Sequence, residues 1–147
     1  MLVLFLDIDG VLIPLPTSGE QIDDPQPSRE AIENLNLLIQ ITGTSVVVSS
    51  TWRVDRSVME LDALLKSWGF RFDVLDKTTQ SGGDDDRAKD IQTWLDAHHG
   101  VENFVIIDDD RQELAALGKH LVMPKPDVGL QIHDVGEAVR ILREVTK

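Results

Sequence analysis

Short apolar runs recur along the chain and predict the strands of a central sheet. Four of them are continuous rather than alternating: LVLFL at 2–6, SVVV at 45–48, NFVII at 103–107 and HLVM at 120–123. Continuous apolar runs are typical of parallel strands, because helices cover both faces of a parallel sheet. The run FDVLD at 72–76 indicates one more strand.

Apolar residues at helical spacing lie between these runs and predict four amphipathic helices. We expect Ser28 and Asp86 to cap the first and third helices and Gly69 to close the second. In the last helix, the sequence DVGE predicts a capping box between Asp134 and Glu137. The four apolar stripes fall within residues 31–39, 58–65, 91–95 and 135–142.

Strands that alternate with helices predict an α/β fold. We expect a Rossmann-like three-layer sandwich, in which a central, mainly parallel sheet lies between two layers of helices. A chain of 147 residues has the usual length of one domain, so residues 1–147 are interpreted as a single domain. Two long loops, residues 14–27 with four prolines and residues 77–86, connect the predicted elements.

Composition and charge narrow the classes of function. The chain has no cysteine, which excludes disulfide frameworks, thiolate metal sites and cysteine nucleophiles. Its net charge of -12 predicts no strong nonspecific binding to nucleic acid, and clustered carboxylates attract divalent cations. The first apolar run is too short for a signal peptide, and no segment is long enough to span a membrane. We therefore expect a cytoplasmic protein without a membrane partner.

Polar groups follow directly after three of the apolar runs. Asp7 and Asp9 follow the first run, SSTWR at 49–53 follows the second, and DDD at 108–110 follows the third. The basic sequence RAK at 87–89 lies at the start of the third predicted helix. Because ligands bind at the carboxyl ends of the strands in open α/β sheets, these groups are expected to converge on one edge.

Each of these groups alone has an ordinary structural explanation, such as a helix cap or a solvated strand end. Together they provide what phosphoryl transfer requires. Clustered carboxylates bind Mg²⁺, the metal and a cationic side chain neutralise the phosphoryl group, and a carboxylate can attack phosphorus. A second carboxylate two positions along the chain points to the same side and can carry the proton.

The order of these motifs resembles the haloacid dehalogenase (HAD) superfamily of phosphohydrolases. FLDIDGVL, a strand ending in serine, a basic residue that opens a helix, and VIIDDD follow one another as the four motifs of that superfamily do. The stretch RAKDIQTWLDAHHGVENFVIIDDD, together with SSTWR, is similar to small capless HAD domains. Some of those domains occur in RNA-repair proteins of the Swiss Army knife type.

The resemblance implies roles for the acidic residues. It implies that Asp7 is the nucleophile, which forms an aspartyl phosphate, and that Asp9 is the general acid and base. The Mg²⁺ cofactor would be held by Asp7, by the backbone carbonyl of Asp9, and by the carboxylates of Asp108 and Asp109. The implied enzyme is a Mg²⁺-dependent phosphatase that acts on a phosphomonoester.

The resemblance also implies residues that bind the phosphoryl group. Ser49 matches the hydroxyl of the second motif, and Ser50 is the alternative because the strand could end one residue later. Arg87 matches the cation of the third motif, and Lys89 is the alternative because lysine is more usual in the superfamily. Arg53, just beyond the second motif, is predicted to meet a second phosphate or the leaving group.

The intervals between the motifs are too short for a cap domain, which superfamily members that act on small metabolites usually carry. An open site favours a bulky phosphorylated partner: a nucleic-acid end, a nucleotide or a phosphoprotein. By analogy with the superfamily, the proline-rich loop after Asp9 is expected to act as a small flap. Nothing in the sequence indicates an oligomeric state.

Two other classes of function remain as alternatives. A response-regulator receiver domain also combines an acidic pocket, a hydroxyl and a lysine, but its paired acids come first and its single acceptor aspartate lies mid-chain. Here DID comes first and DDD comes late. A catalytically silent HAD-like binding domain is the second alternative. No G-x-G-x-x-G follows a strand and no G-x-x-x-x-G-K-[ST] occurs, which argues against a dinucleotide-binding oxidoreductase and a P-loop kinase.

Overall fold

The structure, a computed structural model, describes residues 1–16, 25–79, 86–111 and 114–144. Its strands are β1 (Leu2–Leu6), β2 (Ser45–Val48), β3 (Val74–Lys77), β4 (Asn103–Ile107) and β5 (Leu121–Val122). Its helices are α1 (Arg29–Thr42), α2 (Val58–Ser67), α3 (Arg87–Ala97) and α4 (Ile132–Arg143), with short 3₁₀ helices at Thr51–Arg53 and Ala115–His120. The predicted strands and helices are therefore confirmed. The expected flap and the second long loop fall largely on residues 17–24 and 80–85, outside the described residues.

The five strands form one parallel sheet in the order β3-β2-β1-β4-β5. β1 pairs with β2 on one side and β4 on the other, so its last residue, Leu6, lies beside Val48 and Ile107. The chain runs outward from β1 to β3 and then returns to β4, so the strand order reverses at β1. In α/β folds, a reversal of this kind opens a crevice at the carboxyl ends of the central strands, where ligands bind.

Alternating side chains of β1 divide the core into two layers. Leu4 and Leu6 belong to a large apolar cluster that includes residues of α1, α2 and α4. Val3 and Phe5 belong to a second cluster on the opposite face, formed with α3. Helices therefore cover both faces of the sheet, which confirms the predicted Rossmann-like three-layer sandwich.

The helix boundaries follow the predicted capping residues with one exception. Ser28 and Asp86 each accept a hydrogen bond from a backbone N–H in the first turn of α1 and α3, and Gly69 follows α2 with φ of 107°. The capping box predicted for DVGE is wrong, because α4 begins before that sequence. Asp134 instead accepts a hydrogen bond, at 2.8 Å, from the backbone N–H of Gln131.

No cap domain is present among the described residues. Between β1 and β2 they form a tight turn and α1, and between β2 and α3 they form a 3₁₀ helix, α2 and β3. The prediction of a capless architecture is confirmed for this part of the chain. No helix that the structure describes has both the length and the apolar character needed to cross a lipid bilayer.

Candidate active site

Three aspartates lie together at the carboxyl ends of β1 and β4. The backbone N–H of Asp7 donates to the carbonyl of Ile107 at 3.0 Å, which extends the pairing of the two strands by one residue. Asp108 follows β4 directly, and carboxylate oxygens of Asp7, Asp108 and Asp109 lie within 4.8 Å of one another. A compact group of carboxylate oxygens is the ligand set that Mg²⁺ and similar hard cations prefer, so these residues fit the expected cofactor.

Burial makes the negative charge of this cluster costly. Asp7 is 2% exposed and Asp108 is fully buried. Burial, reinforced by the charge of Asp108, raises the pKa of Asp7 to about 8. Burial also raises the pKa of Asp108, although the adjacent Arg87 opposes this effect. A cation bound among these oxygens would favour their ionised forms, so the electrostatics of the cluster suit a metal site.

Arg87 brings a fixed positive charge to the cluster from the first turn of α3. Its Nη1 lies 2.8 and 2.9 Å from the two carboxylate oxygens of Asp108 and 3.6 Å from Oδ2 of Asp7. Lys89, the alternative cation, is exposed and lies two residues further along the helix. The structure therefore favours Arg87 over Lys89 as the cation beside the proposed nucleophile.

Ser49 lies beside Asp7 because β2 pairs with β1. Its backbone N–H donates to the carbonyl of Leu6 at 2.9 Å. Its hydroxyl is buried and has no hydrogen-bond partner among the residues that the structure describes, so it is available to a phosphoryl oxygen. The hydroxyl of Ser50 instead accepts a hydrogen bond from the backbone N–H of Trp52 at 3.3 Å and caps the 3₁₀ helix. This difference favours Ser49 over Ser50.

Asp9 lies on the turn after β1, and its carboxylate is not part of the acidic cluster. The turn is closed by the backbone N–H of Gly10, which donates to the carbonyl of Ile13 at 2.8 Å. Oδ2 of Asp9 accepts a hydrogen bond from the indole nitrogen of Trp52 at 3.0 Å. The expected contact of Asp9 with Mg²⁺ through its backbone carbonyl stays a prediction.

The structure contradicts the predicted role of Arg53 in phosphate binding. The residue is 1% exposed, and all three guanidinium nitrogens donate to acceptors inside the protein. The acceptors are the backbone carbonyls of Ser49, Ser50 and Thr78 and the carboxylate of Asp90, the last at 2.8 Å. Arg53 therefore fastens the end of β2 to α3 and to the end of β3.

The sequence that forms this site matches a known family. A family model described as the HAD domain in Swiss Army Knife RNA repair proteins matches residues 3–135. This range includes every residue of the candidate site described above. The chain belongs to this family. No curated protein matches the chain. Membership and the five-stranded parallel sheet support a HAD-type hydrolase.

Gly10 of the HAD domain permits a close approach that the sequence reading did not predict. Its φ is +78°, and a Cβ at this position would lie 2.4 Å from Oδ2 of Asp109. Only glycine adopts this conformation readily and also leaves room for the carboxylate. The sequence feature that accompanies this contact is the glycine directly after DID, but that glycine does not by itself identify Asp109 as the residue it approaches.

A groove of about 400 Å³ beside Asp109 was also not predicted. Among the described residues, it is also lined by Leu15, Pro16, Pro126 and Asp127. The backbone N–H of Leu15 donates to the carbonyl of Pro126 at 2.7 Å, which joins the segment after β1 to the segment before α4. The two segments lie far apart in the chain, so no local pattern could have revealed the groove.

Proposed function

We propose that this HAD domain is a Mg²⁺-dependent phosphatase that acts through an aspartyl phosphate on Asp7. The observation that carries the proposal is the meeting of the carboxylate cluster with Arg87 at the carboxyl ends of β1 and β4. This arrangement holds a nucleophilic carboxylate beside fixed positive charge, which stabilises a phosphoryl group during its transfer.

The proposed reaction has two halves. In the first, a carboxylate oxygen of Asp7 attacks phosphorus, the bond from phosphorus to the leaving oxygen breaks, and Asp9 gives its proton to that oxygen. In the second, water attacks phosphorus, Asp9 takes a proton from the water, and the bond from phosphorus to Asp7 breaks. The products are an alcohol and inorganic phosphate, and both aspartates return to their starting forms.

The residues around Asp7 would share the charge of the phosphoryl group. Mg²⁺, when bound by the acidic cluster, neutralises negative charge on the phosphoryl oxygens. The guanidinium of Arg87, which lies beside Asp7, would add a second positive charge next to the phosphoryl group. The buried hydroxyl of Ser49 would donate a hydrogen bond to a phosphoryl oxygen.

We propose a bulky phosphomonoester as the substrate, with the phosphorylated end of an RNA as the first candidate. The described residues contain no cap, and the groove beside Asp109 leaves room for a large group. The description of the family names RNA repair proteins. Because the net charge of -12 opposes extended contact with nucleic acid, recognition would centre on the terminal phosphate. A nucleotide and a phosphoprotein are the alternatives.

The test is the release of inorganic phosphate with and without Mg²⁺. The substrates are p-nitrophenyl phosphate, a nucleoside monophosphate, a 3′-phosphorylated oligoribonucleotide and a phosphopeptide. We compare the wild type with Asp7→Asn, which removes the nucleophilic oxygen, and with Asp96→Asn, which makes the same change at an exposed site near the end of α3. We expect Mg²⁺-dependent release that only Asp7→Asn abolishes.

Three results would contradict the proposal. Release that persists in Asp7→Asn would exclude Asp7 as the nucleophile. No release from any substrate, combined with stable phosphorylation of the protein by acetyl phosphate, would favour a phospho-accepting signalling domain. Absence of both reactions would favour a catalytically silent binding domain.

A further inference from the structure

The indole nitrogen of Trp52 lies 3.0 Å from Oδ2 of Asp9, the proposed general acid and base. The two residues are 43 positions apart in the chain. They approach because the 3₁₀ helix after β2 lies next to the turn after β1. An indole nitrogen only donates, so Oδ2 is the acceptor. Within the described part of the chain Oδ1 makes no hydrogen bond, which leaves it to exchange the proton.

Contacts on several sides hold Trp52 in place. The ring of Trp68 meets it edge-on, with 5.7 Å between centroids and an angle of 79° between the planes. The guanidinium of Arg56 lies over its face, 4.7 Å from the ring centroid. Its backbone N–H is bound by the hydroxyl of Ser50. A ring supported in this way presents its N–H in one direction.

We infer that Trp52 is a positioning residue that orients the carboxyl group of Asp9 toward the leaving oxygen. The inference rests on the proposed phosphatase function. A general acid works only when its proton lies within hydrogen-bond reach of the atom that receives it. The turn fixes the backbone of Asp9, whereas the hydrogen bond from Trp52 selects one orientation of its side chain. Loss of this hydrogen bond should therefore slow the reaction most for substrates whose leaving oxygen must be protonated in order to depart.

Trp94 provides a matched comparison elsewhere in the molecule. Its indole nitrogen donates to Oδ2 of Asp76 at 2.8 Å. Its ring packs edge-on against Phe5, with 5.4 Å between centroids. The bond joins α3 to β3, and neither Trp94 nor Asp76 has a part in the proposed reaction. Substitution of Trp94 therefore measures the structural effect of losing an indole–carboxylate hydrogen bond.

The kinetic test compares kcat/KM for two substrates of similar size. The leaving group of p-nitrophenyl phosphate departs without a proton, whereas the alkoxide of 2-phenylethyl phosphate needs one. We expect Trp52→Phe to lower kcat/KM about 10-fold or more for the alkyl ester and at most about threefold for the nitrophenyl ester. Trp94→Phe should change both values little and equally.

The outcomes separate this inference from the proposed function. Equal losses for both substrates in Trp52→Phe would overturn the positioning role and leave Trp52 a structural residue. In an Asp9→Asn background, Trp52→Phe should no longer alter the ratio of kcat/KM for the alkyl ester to kcat/KM for the nitrophenyl ester. If it still altered this ratio, the positioning role of Trp52 would also be overturned. No phosphate release by the wild type would overturn the proposed function, and the positioning role with it.

Nuclear magnetic resonance tests the hydrogen bond without a substitution at Trp52. The chain has three tryptophans and therefore three indole N–H signals, of which Trp52→Phe and Trp94→Phe identify two by their loss. We expect Asp9→Ala to shift the Trp52 signal upfield, because the carboxyl acceptor of its hydrogen bond is removed, and to leave the Trp94 signal in place. An unchanged Trp52 signal would overturn the inference.

Discussion

At the scale of single residues, Gly10 shows how backbone conformation determines the shape of the acidic cluster. The position combines a φ of +78° with a contact that leaves no space for a side chain beside Asp109. The carboxylate can occupy its place in the acidic cluster only because Gly10 has no Cβ. The geometry of one proposed metal ligand therefore depends on a residue that offers no ligand atom itself.

Gly10→Ala is expected to weaken Mg²⁺ binding about 10- to 100-fold, as substitutions next to metal ligands commonly do. The new Cβ would displace the carboxylate of Asp109, since the two would lie 2.4 Å apart. Isothermal titration calorimetry with Mg²⁺ measures the change.

Gly43→Ala is the control for this prediction. Gly43 has a φ of +68°, but no atom lies within 4 Å of a Cβ built there. Gly43→Ala therefore introduces the same backbone strain as Gly10→Ala, about 1 kcal/mol, but its new Cβ clashes with no neighbouring atom. Equal Mg²⁺ affinities in the two variants would show that Gly10 does not determine the position of Asp109.

The residues that could be predicted from the sequence are those whose position follows directly from a strand. Asp7 and Asp108 each come immediately after a continuous apolar run, and pairing of β1 with β4 brings them together. The role of Arg53 could not be predicted, because its partners Thr78 and Asp90 lie 25 and 37 positions away. No local pattern distinguishes a buried arginine that joins elements from an exposed one that binds a ligand.

At the scale of elements, the Arg53–Asp90 ion pair connects the 3₁₀ helix after β2 to α3. Both side chains are almost fully buried, at 2% and 1% exposure. The same helix carries Trp52, and α3 begins with Arg87, so the pair joins two elements that support the candidate site. Rigid support of this kind keeps the site residues in position.

Arg53→Met is expected to lower the free energy of unfolding by about 3–5 kcal/mol, because it removes the guanidinium that pairs with the buried carboxylate of Asp90. Urea denaturation measures the loss. The double variant Arg53→Met/Asp90→Leu should recover part of it, since both charged groups of the pair are then removed.

Lys66→Met is the control for the buried pair. It removes exposed ion pairs with Asp62 and Asp73, and exposed pairs contribute little. The interpretation of Arg53 fails if the two single variants lose the same stability, or if the double variant is less stable than Arg53→Met alone.

The elements themselves were largely predictable, because apolar periodicity extends over many residues. Continuous runs identified the strands, and helical stripes identified α1 to α4. The start of α4 was misplaced because DVGE has the form of a capping box, whereas the helix already begins at Ile132. Boundaries depend on one or two hydrogen bonds and are therefore less strongly encoded than the elements they limit.

At the scale of the whole molecule, the acidic cluster couples folding to protonation and, if it holds the proposed Mg²⁺, to metal binding. Asp7 has an ordinary pKa of 3.8, and burial with the neighbouring charge of Asp108 raises it to about 8. The folded protein therefore binds this proton more tightly than the unfolded chain does. The contribution of Asp7 to stability is fully present below pH 3.8 and is lost as the pH rises to about 8.

We therefore expect Asp7→Asn to stabilise the metal-free protein at pH 8 by on the order of 1–3 kcal/mol, while leaving its stability at pH 4 nearly unchanged. Because asparagine does not ionise, the variant should lose the decline in stability that Asp7 causes in the wild type between these pH values. Chemical denaturation in the presence of a chelator, at several pH values, measures the difference. Parallel pH profiles for the wild type and Asp7→Asn would contradict the raised pKa.

Mg²⁺ should reverse this pH dependence in the wild type. A cation competes with protons for the carboxylate oxygens, so its binding and the stability it adds increase as the pH rises. The increase in Tm caused by Mg²⁺ should be larger at pH 8 than at pH 6, and Asp7→Asn should reduce it at both. Asp96→Asn, which changes an exposed carboxylate, should respond as the wild type does. If Mg²⁺ raised the Tm of Asp7→Asn as much as that of the wild type, the ion would be bound elsewhere, and the acidic cluster would not be the metal site.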